Sequence, residues 1–306
     1  MTQSTMFLNN VTSVDHAYIG ADGWVYGNSY SPTFRVSGNI DPEENVVVDF
    51  STIKKDLKNH IDHPHRGLDH KLWFINSFSN GEVTSLKNGH LIVETPLLKY
   101  VGATDSVHVI DGIKTHEVDA LALREITQNY VLTSLLADPG RTYSEIGLDV
   151  KTEIDMRPTT PDRQVVVPFN YTHGLRSSTS WGCQNMMHGH QSFLYFMDNN
   201  KDPLKWEKDL LEHKIAGFMH NKMFVWADNW YEKTRTLEYY SRDRGEFILQ
   251  LKDESLIKRL IILPTETTIE HIAAFVASKW EDEFKECGVS EIFVSEGQNK
   301  GAVVEL

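Results

Sequence analysis

Two histidines separated by a single glycine are the residues of this sequence best placed to bind a metal. His188-Gly189-His190 directly precedes a stretch from Ser192 to Phe196 that is typical of a β-strand. In a strand, residues two positions apart project from the same face, so both imidazoles can reach one ion. His173, on a neighbouring strand-like stretch, is the natural third ligand, and three protein ligands with one open position are typical of catalytic zinc. The alternative is a pair of surface histidines around a turn glycine.

Cys183 lies five positions before His188 and adds a second kind of chemistry. It could be a fourth zinc ligand, a nucleophile or base, or an inert small residue. A glycine-flanked loop beside a cation would lower the pKa of its thiol. Cys287 follows an amphipathic helix and is expected to be structural. Two cysteines cannot form a disulfide framework, which favours a reducing compartment.

Composition excludes several classes of protein. The 306 residues are 40% hydrophobic and 10% aromatic, too apolar for a disordered chain. Thirty basic against forty-three acidic residues, a net charge of −13, argue against a nucleic-acid scaffold. The first ten residues do not read as a secretory signal, and no apolar run approaches the ~18 residues of a membrane span. We therefore predict a cytoplasmic protein with neither nucleic-acid nor membrane partners.

The elements that must position these side chains recur in loosely the same order in both halves of the chain. Each half reads as strands, an amphipathic helix, further strands, a second helix and a closing strand. The repeated order predicts a two-copy chain, with units at residues 1–156 and 163–306 around a proline-containing linker. The expected helices run from Ser51 to Ile61, from about Thr115, from Pro203 to Ile215 and from Thr268 to Phe284, and the closing strands are Ile146 to Glu153 and Glu291 to Glu296.

Six short stretches together resemble a known family. In the second half these are Phe169-Asn170-Tyr171-Thr172-His173, Cys183 with the His-Gly-His after it, Thr268 to Ala273, and Val294-Ser295-Glu296. In the first half they are Val48 to Lys55 and Leu68-Asp69-His70-Lys71. In order and spacing they resemble the 6-pyruvoyl-tetrahydropterin synthase / 6-carboxytetrahydropterin synthase family, whose members have the tunnelling (T-) fold. The resemblance spans nearly the whole chain.

The resemblance implies an α+β fold of two tandem T-fold units. Each unit would be an antiparallel β-sheet with two helices on one face. Such units leave sheet edges open, so a homo-oligomer that closes them into a barrel is expected.

The resemblance also implies a reaction. A zinc-dependent synthase would convert the small-molecule substrate 7,8-dihydroneopterin triphosphate with loss of triphosphate. The 6-carboxy product of the queuosine route is our first choice and the 6-pyruvoyl product the second. The implied roles are zinc ligands for His173, His188 and His190, general base for Cys183, proton relay for Asp69 and His70, pterin anchor for Glu296, and substrate contact or helix-start charge for Glu270.

Each half departs from the family pattern where the other half keeps it. The first half has Tyr26-Gly27-Asn28 in place of His-Gly-His, although His16 could match the opening histidine. The second half has Met219-His220-Asn221-Lys222 where the first has Leu-Asp-His-Lys. We therefore predict that the first half lends Asp69 and His70 to the zinc and cysteine of the second, within one chain or between chains.

Three alternatives stay open at this point. Asp62-His63 is a rival acid–base pair, disfavoured because a proline follows it. A non-catalytic pterin- or purine-binding paralogue would use the same pocket. A zinc hydrolase of unrelated fold would make the repeat a coincidence.

Overall fold

The computed structural model describes residues 3–137, 148–156, 166–202 and 209–306. In that part of the chain the strands form three six-stranded sheets. The predicted linker at 157–162, the beginning of the closing strand at Ile146 and the beginning of the helix at Pro203 lie outside the described residues. No helix of the described part is both long and apolar enough to span a membrane.

The first sheet is built by the first half of the chain and carries two helices among the residues that the structure describes. Its strands are β1 (Gln3–Leu8), β2 (Val14–Ile19), β3 (Val25–Asn39), β4 (Lys71–Ile75), β8 (Val107–Ile110) and β9 (Asp149–Asp155), in the order β1-β3-β2-β4-β8 with β9 also paired to β3. Helix α1 (Phe50–Ile61) is capped by Asp49, whose side chain accepts from the Thr52 N–H. Helix α2 (Ala120–Leu136) is capped by Asp119 in the same way. The predicted apolar face of α1 is confirmed, since Ile53, Leu57 and Ile61 are fully buried.

The second sheet is built by the second half and, in the described ranges 166–202 and 209–306, has three helices. Its strands are β10 (Val167–His173), β11 (His188–Asp198), β12 (Lys222–Trp226), β16 (Leu260–Leu263), β17 (Val289–Ser295) and β18 (Gly301–Glu305), in the order β16-β12-β10-β11-β17-β18. Helix α3 spans Asp209–Met219. The single helix expected from Thr268 to Phe284 is instead two, α4 (Ile269–Lys279) and α5 (Glu281–Cys287), because Trp280 leaves helical geometry at φ −117° and ψ 29°.

The first two sheets share one core topology. In both, an antiparallel hairpin is followed by a helix and then by a strand that pairs in parallel with the first strand of the hairpin. The next strand of the sheet pairs in parallel with that one, and a closing strand pairs antiparallel with the second strand of the hairpin. The strands β2, β3, β4, β8 and β9 thus occupy the places of β10, β11, β12, β16 and β17.

The expectation of purely antiparallel sheets is wrong. Strand β4 is parallel to both β2 and β8, and β12 is parallel to both β10 and β16. After β3 or β11 the chain crosses back through a helix before the next strand, which restores the direction of the first strand. Apolar alternation reports which face of a strand is buried, not the direction in which the strand runs.

A third sheet joins the two halves. It contains β5 (Glu82–Ser85), β6 (His90–Glu94), β7 (Leu98–Ala103), β13 (Trp230–Tyr231), β14 (Thr236–Ser241) and β15 (Gly245–Leu251), in the order β13-β14-β15-β7-β6-β5. Strands β15 and β7 pair antiparallel across the halves, with Ile248 opposite Val101. The core beneath mixes both halves, for example Trp24 and Leu72 with Met186 and Met223.

Two glycines let the first and second sheets touch backbone to backbone. A β-carbon at Gly27 would lie 1.9 Å from the carbonyl oxygen of Tyr171, and one at Gly189 would lie 2.4 Å from the α-carbon of Gly27. Backbone atoms cannot move aside as a flexible side chain can. We therefore expect Gly27→Ala to lower the free energy of unfolding by about 3 kcal/mol, the upper part of the overpacking range.

Urea unfolding would measure this loss, and the chain offers a matched control. Gly217 is exposed in α3, and a β-carbon added there would meet nothing within 4 Å beyond its own helix. Alanine at that position should stabilise the helix by about 0.5–1 kcal/mol. Equal unfolding midpoints for Gly27→Ala and Gly217→Ala would contradict the close approach of the two sheets.

Candidate active site

Three buried histidines converge at the paired ends of β10 and β11. His173 lies directly opposite His188, and Tyr171 opposite His190. The Nε2 atoms of His173 and His190 are 3.1 Å apart, and one ring nitrogen from each histidine lies within 4.8 Å of the others. A tetrahedral zinc with Zn–N distances near 2.05 Å holds its nitrogens about 3.3 Å apart. The three side chains therefore fit a metal ion of this kind.

Backbone carbonyls fix the tautomer of two of these histidines. The Nδ1–H of His173 donates to the Thr267 carbonyl at 2.7 Å, and that of His188 donates to the Asn185 carbonyl at 2.9 Å. A carbonyl can only accept, so Nδ1 carries the proton and Nε2 keeps its lone pair free. Burial lowers the pKa of His173 to about 3 and that of His188 well below its usual value. Both rings are thus neutral, the form that binds metals.

The third histidine is held by a side chain from the first half. Nδ1 of His190 lies 3.2 Å from Oδ1 of Asp15 in β2. The two groups are in contact, but their geometry is not that of a regular hydrogen bond. Asp15 is 3% exposed; it accepts from the Ser29 hydroxyl at 2.5 Å and lies 3.4 Å from the Lys300 ammonium. Burial alone would raise the pKa of Asp15, but His190 and Lys300 hold it well below its usual value.

Cys183 and the Asp69–His70 pair lie beside this cluster. Asp69 Oδ2 is 2.6 Å from His70 Nδ1, and the rings of His70 and His188 have centroids 5.0 Å apart. One ligand atom each from His70, Cys183 and His188 lies within 4.8 Å of the others. Burial lowers the pKa of His70, but Asp69 and Cys183 outweigh it and hold that pKa well above its usual value. Burial raises the pKa of Cys183, but the neighbouring His70 outweighs burial and holds that pKa below its usual value.

The backbone of Asp15 places the acid–base pair. Its N–H donates to Asp69 Oδ1 at 2.8 Å, and its carbonyl accepts from the His70 N–H at 2.6 Å. His70 adopts the left-handed conformation, φ 54°, which a non-glycine residue keeps only where its surroundings impose it. Asn185 adds a hydrogen bond to the His70 carbonyl at 3.1 Å. The hydrogen bond from Asn185 joins the two halves within one chain.

The rival pair Asp62-His63 lies elsewhere. Asp62 is the C-cap of α1, where it pairs with Lys58 at 2.6 Å and accepts from the Thr12 hydroxyl at 2.8 Å. His63 is followed by a turn in which its ring nitrogen accepts from the His65 N–H. The structure thus brings Asp69 and His70, and not Asp62 and His63, to the histidine cluster.

The two glutamates singled out from the sequence occupy different environments. Glu296, just after β17, has Oε1 at 3.9 Å from His173 Nε2 and 4.0 Å from His190 Nε2, beyond the ~2.0–2.2 Å of a zinc–carboxylate bond. Its carboxylate also lies 3.4 Å from the Lys300 ammonium. Glu270 is exposed in the first turn of α4, where its charge complements the helix N-terminus. A substrate contact by Glu270 stays a prediction.

Strand register identifies the counterparts of the metal ligands in the first half. Gly27 and Gly189 hold the same place in β3 and β11, and Tyr18 faces Tyr26 as His173 faces His188. The suggestion that His16 matches the opening histidine is therefore wrong by two residues. His16 instead holds the place of Tyr171, buried and stacked on the indole of Trp73 with ring centroids 3.8 Å apart. The three ligand positions of the first half are thus Tyr18, Tyr26 and Asn28.

The counterpart of the acid–base pair in the second half is His220-Asn221, at the place assigned from the sequence. Asn221 has φ 58°, close to that of His70. Each of the two residues directly precedes the strand that runs parallel to the first strand of its hairpin. The His220 ring accepts from the Asn170 N–H at 3.2 Å, as Asp69 accepts from Asp15. A carboxylate–imidazole pair is thus replaced by an imidazole and an amide.

Sequence reasoning missed Asp15, Lys300 and the carbonyl of Thr267. A sequence signal existed only for Asp15, which is an acid among the mostly apolar and aromatic residues of Val14–Ile19. Lys300 and Thr267 lie in connecting segments with no local pattern, and they reach the site only through the fold.

Comparisons with known proteins give distant structural likenesses alone. No protein-family model matches the chain, and no curated protein matches it. The chain is similar to 6-pyruvoyltetrahydropterin synthase from Plasmodium vivax and to that from Plasmodium falciparum, each at 14% identity over 52% of this chain and 95% of the other, with a TM-score of 0.38. An uncharacterized protein from Wolinella succinogenes matches at 12% identity over 46% of this chain and 96% of its own, with a TM-score of 0.31. The site described above rests on side-chain geometry and not on these likenesses.

Proposed function

We propose that the chain is a zinc-dependent synthase that converts 7,8-dihydroneopterin triphosphate with loss of triphosphate. The observation that carries this proposal is the assembly of Cys183, His70 and Asp69 beside three metal-competent histidines within one chain. A thiolate next to an imidazolium supplies a base and an acid at one place. The 6-carboxy product is the first choice and the 6-pyruvoyl product the second.

The three histidines, His173, His188 and His190, would hold the zinc through Nε2. When bound, zinc would act as a Lewis acid that stabilises negative charge on the side-chain oxygens of the substrate. The Cys183 thiolate would take a proton from a side-chain carbon, the electrons of that C–H bond would form a C=C bond, and triphosphate would leave with the electrons of its C–O bond.

His70 would act as the proton donor in the same step sequence. Its Nδ1 is held by Asp69, so the opposite nitrogen is the one that can exchange a proton with substrate. Asp69 keeps the ring charged and fixes its orientation, the role a carboxylate has in other acid–base pairs.

Glu296 would orient the substrate ring. A carboxylate accepts two parallel hydrogen bonds from adjacent N–H groups, as a pterin edge offers. Burial raises the pKa of Glu296, but the neighbouring His190 and Lys300 lower it overall, so the acceptor form is favoured.

Zinc analysis followed by incubation with 7,8-dihydroneopterin triphosphate tests the proposal. The zinc-loaded chain should release inorganic triphosphate, and mass spectrometry of the pterin product would decide between the 6-carboxy and 6-pyruvoyl forms. Binding of the pterin without release would instead favour the non-catalytic paralogue. A chain that binds no zinc would overturn the proposal.

A mixing experiment tests whether each site is complete within one chain. Asp69, His70 and Cys183 meet inside a single chain, so chains with Cys183→Ala and chains with His70→Ala each lack one part of their own site. We expect an equimolar mixture to release triphosphate no faster than the average of the two variants. Recovery toward one quarter of the wild-type rate, the share of complete sites in a random mixture, would show that sites form between chains.

The shared strand order also supports a duplication, with T-fold units near residues 1–156 and 163–306. Strands β1 and β18 lie at sheet edges and expose Phe7 and Val303. A homo-oligomer that covers such edges would close the sheets into a barrel.

A further inference from the structure

We propose that Asp15 is a positioning residue for the metal site: its carboxylate orients His190 from the half of the chain that has lost the metal ligands. The inference rests on the zinc site of the proposed function. It adds a residue that stands outside every motif on which the resemblance was based.

The carboxylate of Asp15 is buried and has three polar neighbours. It faces His190 Nδ1 at 3.2 Å, the Ser29 hydroxyl at 2.5 Å and the Lys300 ammonium at 3.4 Å. A buried carboxylate is costly unless it is paired and hydrogen-bonded, so this set of partners accounts for an acid at 3% exposure. Of these three partners, His190 is the one that belongs to the histidine cluster.

His190 differs from the other two histidines in what holds its ring. His173 and His188 are held by backbone carbonyls, which no side-chain substitution removes. His190 instead faces a carboxylate at 3.2 Å, whose negative charge favours a proton on Nδ1 and raises the basicity of the nitrogen that would bind the metal. The affinity of the site should therefore depend on the identity of residue 15.

The counterpart of Asp15 in the second half supports a specific role. Asn170 holds the same strand position, and its side-chain amide donates to the Gly27 carbonyl at 2.7 Å. Both positions thus reach across to the other half. The carboxylate of Asp15 faces the half that has the three histidines. The amide of Asn170 faces the half that has other residues at those positions.

The side chain and the backbone of Asp15 contact different residues of the site. The backbone N–H and carbonyl hold Asp69 and His70, and these contacts persist whatever the side chain. The side chain alone touches His190. Asp15→Asn, which preserves shape and backbone, therefore tests the carboxylate without removing the acid–base pair.

The decisive measurement is the zinc dissociation constant, obtained by competition with a chelator. Asp15→Asn should bind zinc 10–100-fold more weakly than wild type, the usual effect of removing a carboxylate behind a metal-bound histidine. The absorption spectrum of the cobalt-substituted variant should also shift. Asn170→Ala, which breaks the matching contact of the other half, should leave both readouts at wild-type values.

Three further outcomes are informative. Wild-type zinc affinity and an unchanged cobalt spectrum in Asp15→Asn would overturn the inference. A wild-type chain that binds no zinc would overturn the proposed function itself. If the metal-free Asp15→Asn chain does not fold, Asp15→Ala with added formate is the second test: formate should restore zinc affinity, and equal affinity with and without formate would overturn the carboxylate role.

Discussion

Replacing Cys183 by alanine should reduce triphosphate release by about 10³-fold, within the range that general acid–base catalysis contributes. Cys183 lies beside His70, which lowers the pKa of the thiol, and no other thiol of the described chain lies at the cluster. Alanine removes the proposed base and leaves the three histidines in place. We therefore expect zinc content to stay at the wild-type value, measured by metal analysis alongside single-turnover release of triphosphate.

The second cysteine is the matched control. Cys287 ends helix α5 and packs against the core of the second sheet, so Cys287→Ala should keep the wild-type rate. Wild-type release by Cys183→Ala would exclude the thiolate as base. Loss of zinc from Cys183→Ala would instead assign Cys183 as a fourth metal ligand.

Replacing His188 by alanine should remove zinc and, with it, all measurable turnover. His188 lies opposite His173 and next but one to His190, so the substitution leaves two ligands at a site that needs three. The loss of zinc affinity should exceed the 10–100-fold typical of a residue behind a ligand. Dialysis against a chelator followed by metal analysis would measure it.

His220 provides the control for a histidine outside the cluster. It holds the place of Asp69 in the second half, and its ring accepts a backbone hydrogen bond from Asn170. His220→Ala should retain zinc and activity, with at most a modest loss of stability. Full zinc occupancy in His188→Ala would place the metal elsewhere and contradict the cluster.

The local parts of the site could be predicted because short spacing decides them. The two histidines of His188-Gly189-His190 face one side because a strand alternates, whatever surrounds it. The apolar spacing that buries Ile53, Leu57 and Ile61 is equally local. Such features need only neighbouring residues.

The remaining features depend on contacts between distant residues. The pairing of β7 with β15 joins Val101 to Ile248, and no local pattern encodes it. The parallel direction of β4 depends on the path of the chain through α1. Residue type alone misplaces His16, because strand register is defined only by the hairpin itself. Asp15 could be noticed as an acid in a buried strand, but not assigned to a histidine 175 positions away.

The two unequal halves have a consequence for how such a chain can change. In a symmetric dimer of identical subunits, one codon specifies both copies of a site, so a substitution appears in each at once. Here Tyr18, Tyr26 and Asn28 can differ freely from His173, His188 and His190, because they are encoded separately. Separate encoding thus allows one place to do without metal ligands while the other keeps them. The stoichiometry should follow: one zinc, and one triphosphate per turnover, for each 306-residue chain.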